Sequence, residues 1–159
     1  MKVIDNFLPK DNFLDIKTIL ESNSFPWFFQ NTVSGKDNDY YFIHHLYNHD
    51  TISSNYFNMI KPIIDKIKMK SLIRIKVNLT TSTETVIKHA FHEDSSDTNA
   101  KTTILYLNTC NGFTEFKDGT RVNSVENKAV TFNSNIHHTG STCSDKKIRV
   151  VLNFVYYDK

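Results

Sequence analysis

Residues 72–79 read LIRIKVNL, and this stretch decides the fold class. After Leu72, apolar residues alternate at Ile73, Ile75, Val77 and Leu79, and polar or charged residues fill the positions between them. Successive side chains of a β-strand point to opposite faces, so a two-residue period predicts a strand with one buried face. The preceding residues have helical apolar spacing instead, which places a change from helical to strand periodicity near residue 71.

Seven more strands are predicted downstream of this stretch. Their ranges are 85–92, 101–108, 112–117, 120–124, 128–132, 135–139 and 147–156. The Asp-Gly pair at 118 and 119 favours a tight hairpin between two of them. Short strands with no long helix between them are typical of a β-sandwich or barrel. We therefore expect a mainly β protein with flanking helices, built on a jelly-roll core.

The first seventy residues have a different pattern. Apolar spacing predicts helices over 10–22 and 53–68, with Pro62 marking a kink or a restart in the second. Aromatic runs at 25–30 and 39–47 favour strands. A chain of 159 residues is most simply one domain. We expect 1–70 to support a catalytic core at 71–157 within that single domain.

Composition excludes several classes of function. The net charge of +2 does not by itself indicate nucleic-acid binding, and four glycines leave no glycine-rich phosphate loop. No apolar run reaches membrane-spanning length, and the N-terminal residues lack the apolar segment of a secretory signal. Cys110 and Cys143 match no metal-site spacing, and reduced thiols are favoured over a disulfide between them. These features predict a cytoplasmic protein that does not enter a membrane.

Histidine and aspartate at 92 and 94 form the most informative polar pair. They lie two residues apart, which puts both side chains on one face of a strand, whereas His89 would face the other side. A distant histidine, His138 or its neighbour His137, would complete a two-histidine, one-carboxylate triad. Such a triad leaves open coordination positions and suits non-haem Fe(II). The alternative is a hydrogen-bonded surface pair.

Arg149 opens the last strand, RVVLNFVYY at 149–157. It shares one predicted face with Val151, Asn153 and Val155. An arginine on the inner face of a barrel is costly unless an anion meets it, and a guanidinium binds a carboxylate through two hydrogen bonds. The triad and Arg149 together indicate a small carboxylate that also chelates iron.

From Ile73 to Tyr157 the chain resembles the Fe(II)/2-oxoglutarate-dependent dioxygenases, close to their prolyl 4-hydroxylase-like branch. The matching pieces are HED (92–94), TTILYLN (102–108), GFTEF (112–116), KAVTF (128–132), HHTG (137–140) and RVVLNFVYY (149–157), in the order of the family. The common two-glycine motif before the TxF element has one glycine here, Gly112. The resemblance implies a double-stranded β-helix that uses Fe(II), 2-oxoglutarate and O2.

The resemblance also implies roles for individual residues. His92, Asp94 and His138 would hold iron, and Arg149 would bind the distal carboxylate of 2-oxoglutarate. Tyr106 would hydrogen-bond that same carboxylate, the alternative being core packing with its hydroxyl satisfied locally. Asn78 is a further candidate for the cosubstrate, although its spacing to His92 is longer than in many relatives.

The expected activity is hydroxylation of a C–H bond, and a peptidyl, prolyl-type side chain is the first candidate substrate. Alternatives are a small-molecule oxygenase, a nucleic-acid oxygenase and a non-enzymatic jelly roll that binds a metal or a sugar. Peptides and small molecules are favoured over nucleic acid. The basic run Lys66, Lys68, Lys70, Arg74 and Lys76 is interpreted as a solvated face rather than a phosphate-binding one. The sequence gives no indication of oligomeric state.

Overall fold

The computed structural model describes residues 1–33 and 39–159. Its helices are α1 (Lys10–Leu20) and α2 (Lys61–Ile67), and a 3-10 turn at Phe57–Ile60 precedes the second. The strands are β1 (Lys2–Ile4), β2 (Phe28–Gln30), β3 (Tyr41–Asn48), β4 (Thr51–Ile52), β5 (Ser71–Thr81), β6 (Ala100–Tyr106), β7 (Phe113–Phe116), β8 (Arg121–Asn123), β9 (Ala129–Asn133), β10 (His138–Gly140) and β11 (Ile148–Tyr157). Neither helix in this part of the chain is long and apolar enough to cross a bilayer.

Most strands belong to one large antiparallel sheet. Its order is β1-β9-β6-β11-β5-β3-β2, and β4 pairs with β3. The long strand β11 lies at the centre, paired with β5 on one side and β6 on the other. This arrangement confirms the strand predicted from the alternation at 72–79.

A small sheet of order β10-β7-β8 faces the large one. The Asp-Gly hairpin is present between β7 and β8, where Gly119 adopts a positive φ of 86° and donates its N–H to Phe116. The strand predicted at 85–92 is not regular. That segment runs beside β10 and forms two isolated bridges, His92 with His138 at the start of β10 and Lys88 with Ser141 just after its end. The two facing sheets with flanking helices form a double-stranded β-helix, as expected.

Two hydrophobic clusters hold the layers together. The larger one joins both helices to the outer face of the large sheet through buried side chains such as Phe13, Ile16, Ile63, Val77 and Leu152. The predicted apolar faces of both helices are thus buried. The second helix is shorter than predicted, and Pro62 lies in its first turn, where its missing N–H costs no hydrogen bond.

The smaller cluster lies between the two sheets. It contains Ile104, Tyr106, Phe116, Val122, Val130, Phe132 and Val151. It fills only part of the space between the sheets, and polar side chains of β5 and β11 line the remainder. The polar face of β5 is therefore turned to an interior pocket.

Candidate active site

The pocket between the sheets collects polar side chains from both walls. Its lining residues are Val33, Tyr41, Lys76, Asn78, Thr80, His89, His92, Asp94, Ile104, Thr114, His138, Gly140, Arg149, Val151 and Asn153. Of the six residues predicted to form the site, all except Tyr106 line this pocket. The fold thus brings together residues that are up to 71 positions apart in the sequence.

His92, Asp94 and His138 lie at one end of the pocket. One ligand atom from each lies within 4.8 Å of the others, and Asp94 Oδ2 is 3.6 Å from His138 Nε2. The two histidines are bridge partners whose backbones exchange hydrogen bonds of 3.0 and 2.9 Å. Asp94 follows directly, its N–H donating to the Ser134 carbonyl at 3.0 Å. Local backbone pairing therefore holds the three side chains together.

Both imidazoles are oriented by backbone carbonyls. His92 Nδ1 lies 3.3 Å from the Ala90 carbonyl, and His138 Nδ1 lies 3.0 Å from the Ile136 carbonyl. A carbonyl only accepts, so each Nδ1 carries a proton and each Nε2 is the ring atom available to a metal. Burial lowers the pKa of His92, which favours its neutral form. This is the usual way in which a protein orients metal-binding histidines.

The Asp94 carboxylate is held by three donors. Arg74 Nη2 donates to Oδ1 at 2.6 Å, while Thr102 and Asn153 donate to Oδ2 at 3.0 and 3.1 Å. Burial by itself would raise the pKa of Asp94, but electrostatic attraction to His138 and Arg74 and the Asn153 hydrogen bond outweigh it. The carboxylate is thus ionised at neutral pH. Two imidazoles and one carboxylate fit a divalent ion such as Fe(II).

Arg149 is buried, with 5% of its surface exposed. Its Nε donates to Ser124 Oγ at 2.7 Å and its Nη2 to Thr114 Oγ1 at 3.3 Å. Among residues 1–33 and 39–159, no carboxylate forms an ion pair with it. Burial lowers the pKa of Arg149, but a guanidinium remains protonated. A buried cation without a counterion fits an anionic ligand.

Gly112 makes room for the Arg149 side chain. A Cβ at this position would lie 2.6 Å from Arg149 Cδ and 2.7 Å from the Thr142 carbonyl oxygen. At Gly140, by contrast, a Cβ would meet Arg149 Nη1 at an ordinary 3.5 Å. The single glycine of the GFTEF motif is therefore required by the path of the arginine.

Tyr106 is fully buried beside the pocket rather than in its lining. Its hydroxyl donates to Thr114 Oγ1 at 2.9 Å, and its ring lies 5.6 Å from the Arg149 guanidinium carbon. Tyr106 is thus a buried core residue whose hydroxyl is satisfied by a neighbouring side chain, which was the alternative to direct contact with the carboxylate. Thr114 accepts from both Tyr106 and Arg149. Its own O–H is left for a ligand in the pocket.

Asn78 lines the pocket from β5, and its buried Oδ1 has no hydrogen-bond partner among residues 1–33 and 39–159. His137 is exposed, while His138 is 2% exposed and belongs to the triad cluster. His89 departs from the prediction that it faces away. It lines the same pocket, with Nδ1 bonded to Asp39 at 2.9 Å and no partner at Nε2. The alternation rule fails there because 85–92 is not a regular strand.

The basic run does not form one surface. Lys66, Lys68 and Lys70 are exposed, as predicted, but Arg74 bonds to Asp94 and Lys76 lines the pocket. Arg74, Lys76 and Thr114 are functional candidates that sequence reasoning missed. The signal for the first two was the two-residue period of β5, which puts Lys76 and Arg74 two and four residues before Asn78 on the same face.

Cys110 and Cys143 are unpaired and buried, and with Asp145 they form a second group whose ligand atoms lie within 4.8 Å of one another. Their spacing in sequence did not indicate this proximity. Burial and the neighbouring Cys110 raise the pKa of Cys143 to about 11. A thiol with so high a pKa is rarely ionised and is a poor metal ligand.

No family model matches the sequence, and no curated protein matches it significantly. Solved structures do match. A prolyl hydroxylase from Trichoplax adhaerens, in complex with a peptide fragment of the hypoxia inducible factor oxygen degradation domain, superposes with a TM-score of 0.72 at 13% identity, covering 99% of this chain and 83% of that one.

Two further structures extend the comparison. A 2OG-Fe(II) oxygenase family protein from Burkholderia pseudomallei superposes with a TM-score of 0.69 at 8% identity, covering 98% of this chain and 84% of that one. A non-heme epimerase of nogalamycin biosynthesis, in complex with Fe3+, α-ketoglutarate and nogalamycin RO, superposes with a TM-score of 0.70 at 14% identity. The match covers 98% of this chain and 78% of that one. The chain therefore has the fold of the 2-oxoglutarate and Fe(II) oxygenases, prolyl hydroxylases among them.

Proposed function

We propose that the protein is an Fe(II)- and 2-oxoglutarate-dependent dioxygenase that hydroxylates a C–H bond. One observation carries the proposal. A single pocket has a His-Asp-His group at one end and, elsewhere in its lining, a buried arginine with no acidic partner among the described residues. A metal site and a carboxylate site in one pocket match a ligand that chelates iron and carries a second carboxylate.

His92, Asp94 and His138 would hold Fe(II) through two Nε2 atoms and one carboxylate. Arg149 would bind the distal carboxylate of 2-oxoglutarate, joined by the Thr114 hydroxyl. Tyr106 would act indirectly, since its hydroxyl orients Thr114. When bound, iron and 2-oxoglutarate would supply O2 activation, with the cosubstrate converted to succinate and carbon dioxide as the substrate is oxidised.

The remaining residues prepare the pocket for this chemistry. Arg74, Thr102 and Asn153 hold the Asp94 carboxylate in place and ionised, so that little reorganisation is needed on metal binding. Ile104 and Val151 supply an apolar wall between the two polar ends. An apolar wall keeps water away from the reacting atoms.

For the substrate, we favour a peptide or a small molecule over nucleic acid. Two of the five basic residues at 66–76 turn inward, which leaves no continuous basic surface along this run for a phosphate backbone. A prolyl-type peptidyl side chain remains the first candidate, because a prolyl hydroxylase is among the similar structures. We also propose a single catalytic domain, since the helices of the first seventy residues share one core with the large sheet. A cytoplasmic location is proposed as well.

The test is an anaerobic titration of the purified protein with Fe(II) and then 2-oxoglutarate. Chelation of iron by the 2-oxo acid should produce a visible charge-transfer band, and this band should be absent from Asp94→Ala. On exposure to O2, the wild-type protein should then form succinate. A protein that binds Fe(II) but gives no band with 2-oxoglutarate would instead be the non-enzymatic metal-binding jelly roll.

A further inference from the structure

Lys76 is a basic side chain of the pocket to which the proposed reaction assigns no role. It lies on the pocket face of β5, directly opposite Asn153 on β11. Because Asn153 donates to Asp94, Lys76 lies at the metal end of the pocket. Its Nζ donates to the Tyr41 hydroxyl at 3.2 Å and lies 5.4 Å from the centre of that ring.

Lys76 has no acidic counterpart. Its hydrogen bond is to a neutral phenol, and no carboxylate of residues 1–33 or 39–159 forms an ion pair with it. Burial and repulsion from Arg74 lower the pKa of Lys76 to about 8. The amine is thus still mostly protonated at neutral pH, and its charge is only weakly compensated.

The charges of the pocket do not balance without a further anion. Two basic side chains, Lys76 and Arg149, line the pocket with one carboxylate, Asp94, and that carboxylate is also paired with Arg74. Ferrous iron would add two positive charges and 2-oxoglutarate two negative ones, which cancel. With both bound, these named charges would still sum to +2. Arg74 has Asp94 as its ion-pair partner and Arg149 has the distal carboxylate. Lys76 would remain unpaired even with metal and cosubstrate bound.

The position of Lys76 separates it from the site of the distal carboxylate. Arg149 is opposite Thr80 on β5, four residues from Lys76, which is about 13 Å along a strand. The metal end of the pocket therefore offers a cation to an anionic ligand other than the distal end of 2-oxoglutarate.

We infer that the substrate carries an anionic group, a carboxylate in the simplest case, which Lys76 binds together with the Tyr41 hydroxyl. This inference rests on the proposed function and adds the chemical class of its substrate. Lys76 is then a residue that determines specificity.

The probe is acetate, the smallest stable carboxylate, added to anaerobic protein saturated with Fe(II) and 2-oxoglutarate so that Arg149 is occupied. Acetamide serves as the neutral isostere, and sodium chloride keeps the ionic strength equal. The readouts are the visible charge-transfer band and the thermal unfolding midpoint. We expect acetate, but not acetamide, to perturb both in the wild-type protein. In Lys76→Met the acetate affinity should fall about tenfold or more, as for a lost charged hydrogen bond.

Two further variants control the experiment. Lys76→Arg should keep most of the acetate affinity because it keeps the charge, and Lys70→Met, at an exposed lysine, should not change it. Equal acetate affinity in wild type and Lys76→Met would overturn the inference, as would the absence of an acetate-specific effect in the wild type.

The cosubstrate titration separates this inference from its premise. Lys76→Met should form the charge-transfer band at the wild-type concentration of 2-oxoglutarate. If the variant loses 2-oxoglutarate affinity instead, Lys76 binds the cosubstrate, and the inference is wrong while the proposed function stands. If the wild-type protein forms no band at all, the proposed function itself fails and takes the inference with it.

Discussion

Replacing Gly112 by alanine should weaken 2-oxoglutarate binding without adding any group to the metal site. The new Cβ would lie 2.6 Å from Arg149 Cδ, where ordinary contacts begin at 3.4 Å. The new Cβ cannot shift away from Arg149, because the Thr142 carbonyl oxygen, a backbone atom, lies 2.7 Å from it on the other side. The Arg149 side chain must therefore move by nearly an ångström.

The magnitude follows from what holds the guanidinium. Ser124 and Thr114 fix it through hydrogen bonds of 2.7 and 3.3 Å, and a displacement of this size misaligns its contact with a carboxylate. Losing one charged hydrogen bond costs about 1.5–3 kcal/mol. The apparent dissociation constant for 2-oxoglutarate should thus rise roughly 10- to 150-fold. Overpacking should also lower the free energy of unfolding by about 1–3 kcal/mol.

The assay is anaerobic titration of 2-oxoglutarate at saturating Fe(II), with Fe(II) affinity measured separately and expected to stay unchanged. Gly119→Ala is the matched control. Gly119 has a φ of 86° and open space around its Cα, so alanine there strains the backbone by about 1–2 kcal/mol without touching Arg149. Its 2-oxoglutarate affinity should remain that of the wild type. If Gly112→Ala also binds 2-oxoglutarate normally, the arginine does not depend on this glycine and the argument for its path is refuted.

Three further predictions follow from the same structure. Arg149→Ala should raise the apparent dissociation constant for 2-oxoglutarate at least 100-fold, since a buried carboxylate left unpaired costs about 3–5 kcal/mol. Arg149→Lys should recover only part of this affinity. Succinate formation with wild-type kinetics in Arg149→Ala would contradict the role of Arg149 in binding the distal carboxylate. His138→Ala should lose tight Fe(II) binding in an anaerobic equilibrium assay while His137→Ala keeps it, and the reverse result would move the ligand to His137. Without ligands, the Lys76 pKa of about 8 lies below its unfolded value of 10.5. Below pH 8 the folded protein therefore holds a buried ammonium that lowers its free energy of unfolding. Between pH 8 and 10.5 the folded state loses this proton before the unfolded state does, so this destabilisation disappears as the pH rises. By chemical denaturation, the free energy of unfolding of Lys76→Met should exceed that of the wild type by about 1–3 kcal/mol at pH 7, and this difference should shrink towards pH 10.5. A difference that does not depend on pH would argue against the lowered pKa.

The central strand β11 was predictable because its ladders with β5 and β6 are long. Strand β11, predicted at 147–156, is found at Ile148–Tyr157. The segment 85–92 was also predicted as a strand, but its neighbour β10 is only three residues long, and the two bridges beside it are isolated. The partner length is a property of the tertiary structure, and the local sequence does not contain it.

The same limit applies to the candidate site. The proximity of His92 and Asp94 follows from local spacing, whereas the direction of the Tyr106 hydroxyl depends on Thr114, which lies on a different strand. Alternation on β5 separated the apolar face from the polar one correctly. It did not distinguish a solvent-facing polar surface from one that lines a cavity, and for that reason Arg74 and Lys76 were interpreted as solvated.

Strand β11 sets the length of the acid that the pocket accepts under the proposed function. Arg149 and Asn153 lie four residues apart on this one strand, and the second supports the Asp94 carboxylate. Residues 151–157 of β11 are paired on both sides, and Arg149 is paired to β5, so the spacing cannot stretch without breaking hydrogen bonds. A 2-oxo diacid with one carbon more or fewer changes its reach by roughly one bond length. Such homologues carry the same charges as 2-oxoglutarate, and a rigid central strand lets the protein reject them by size alone.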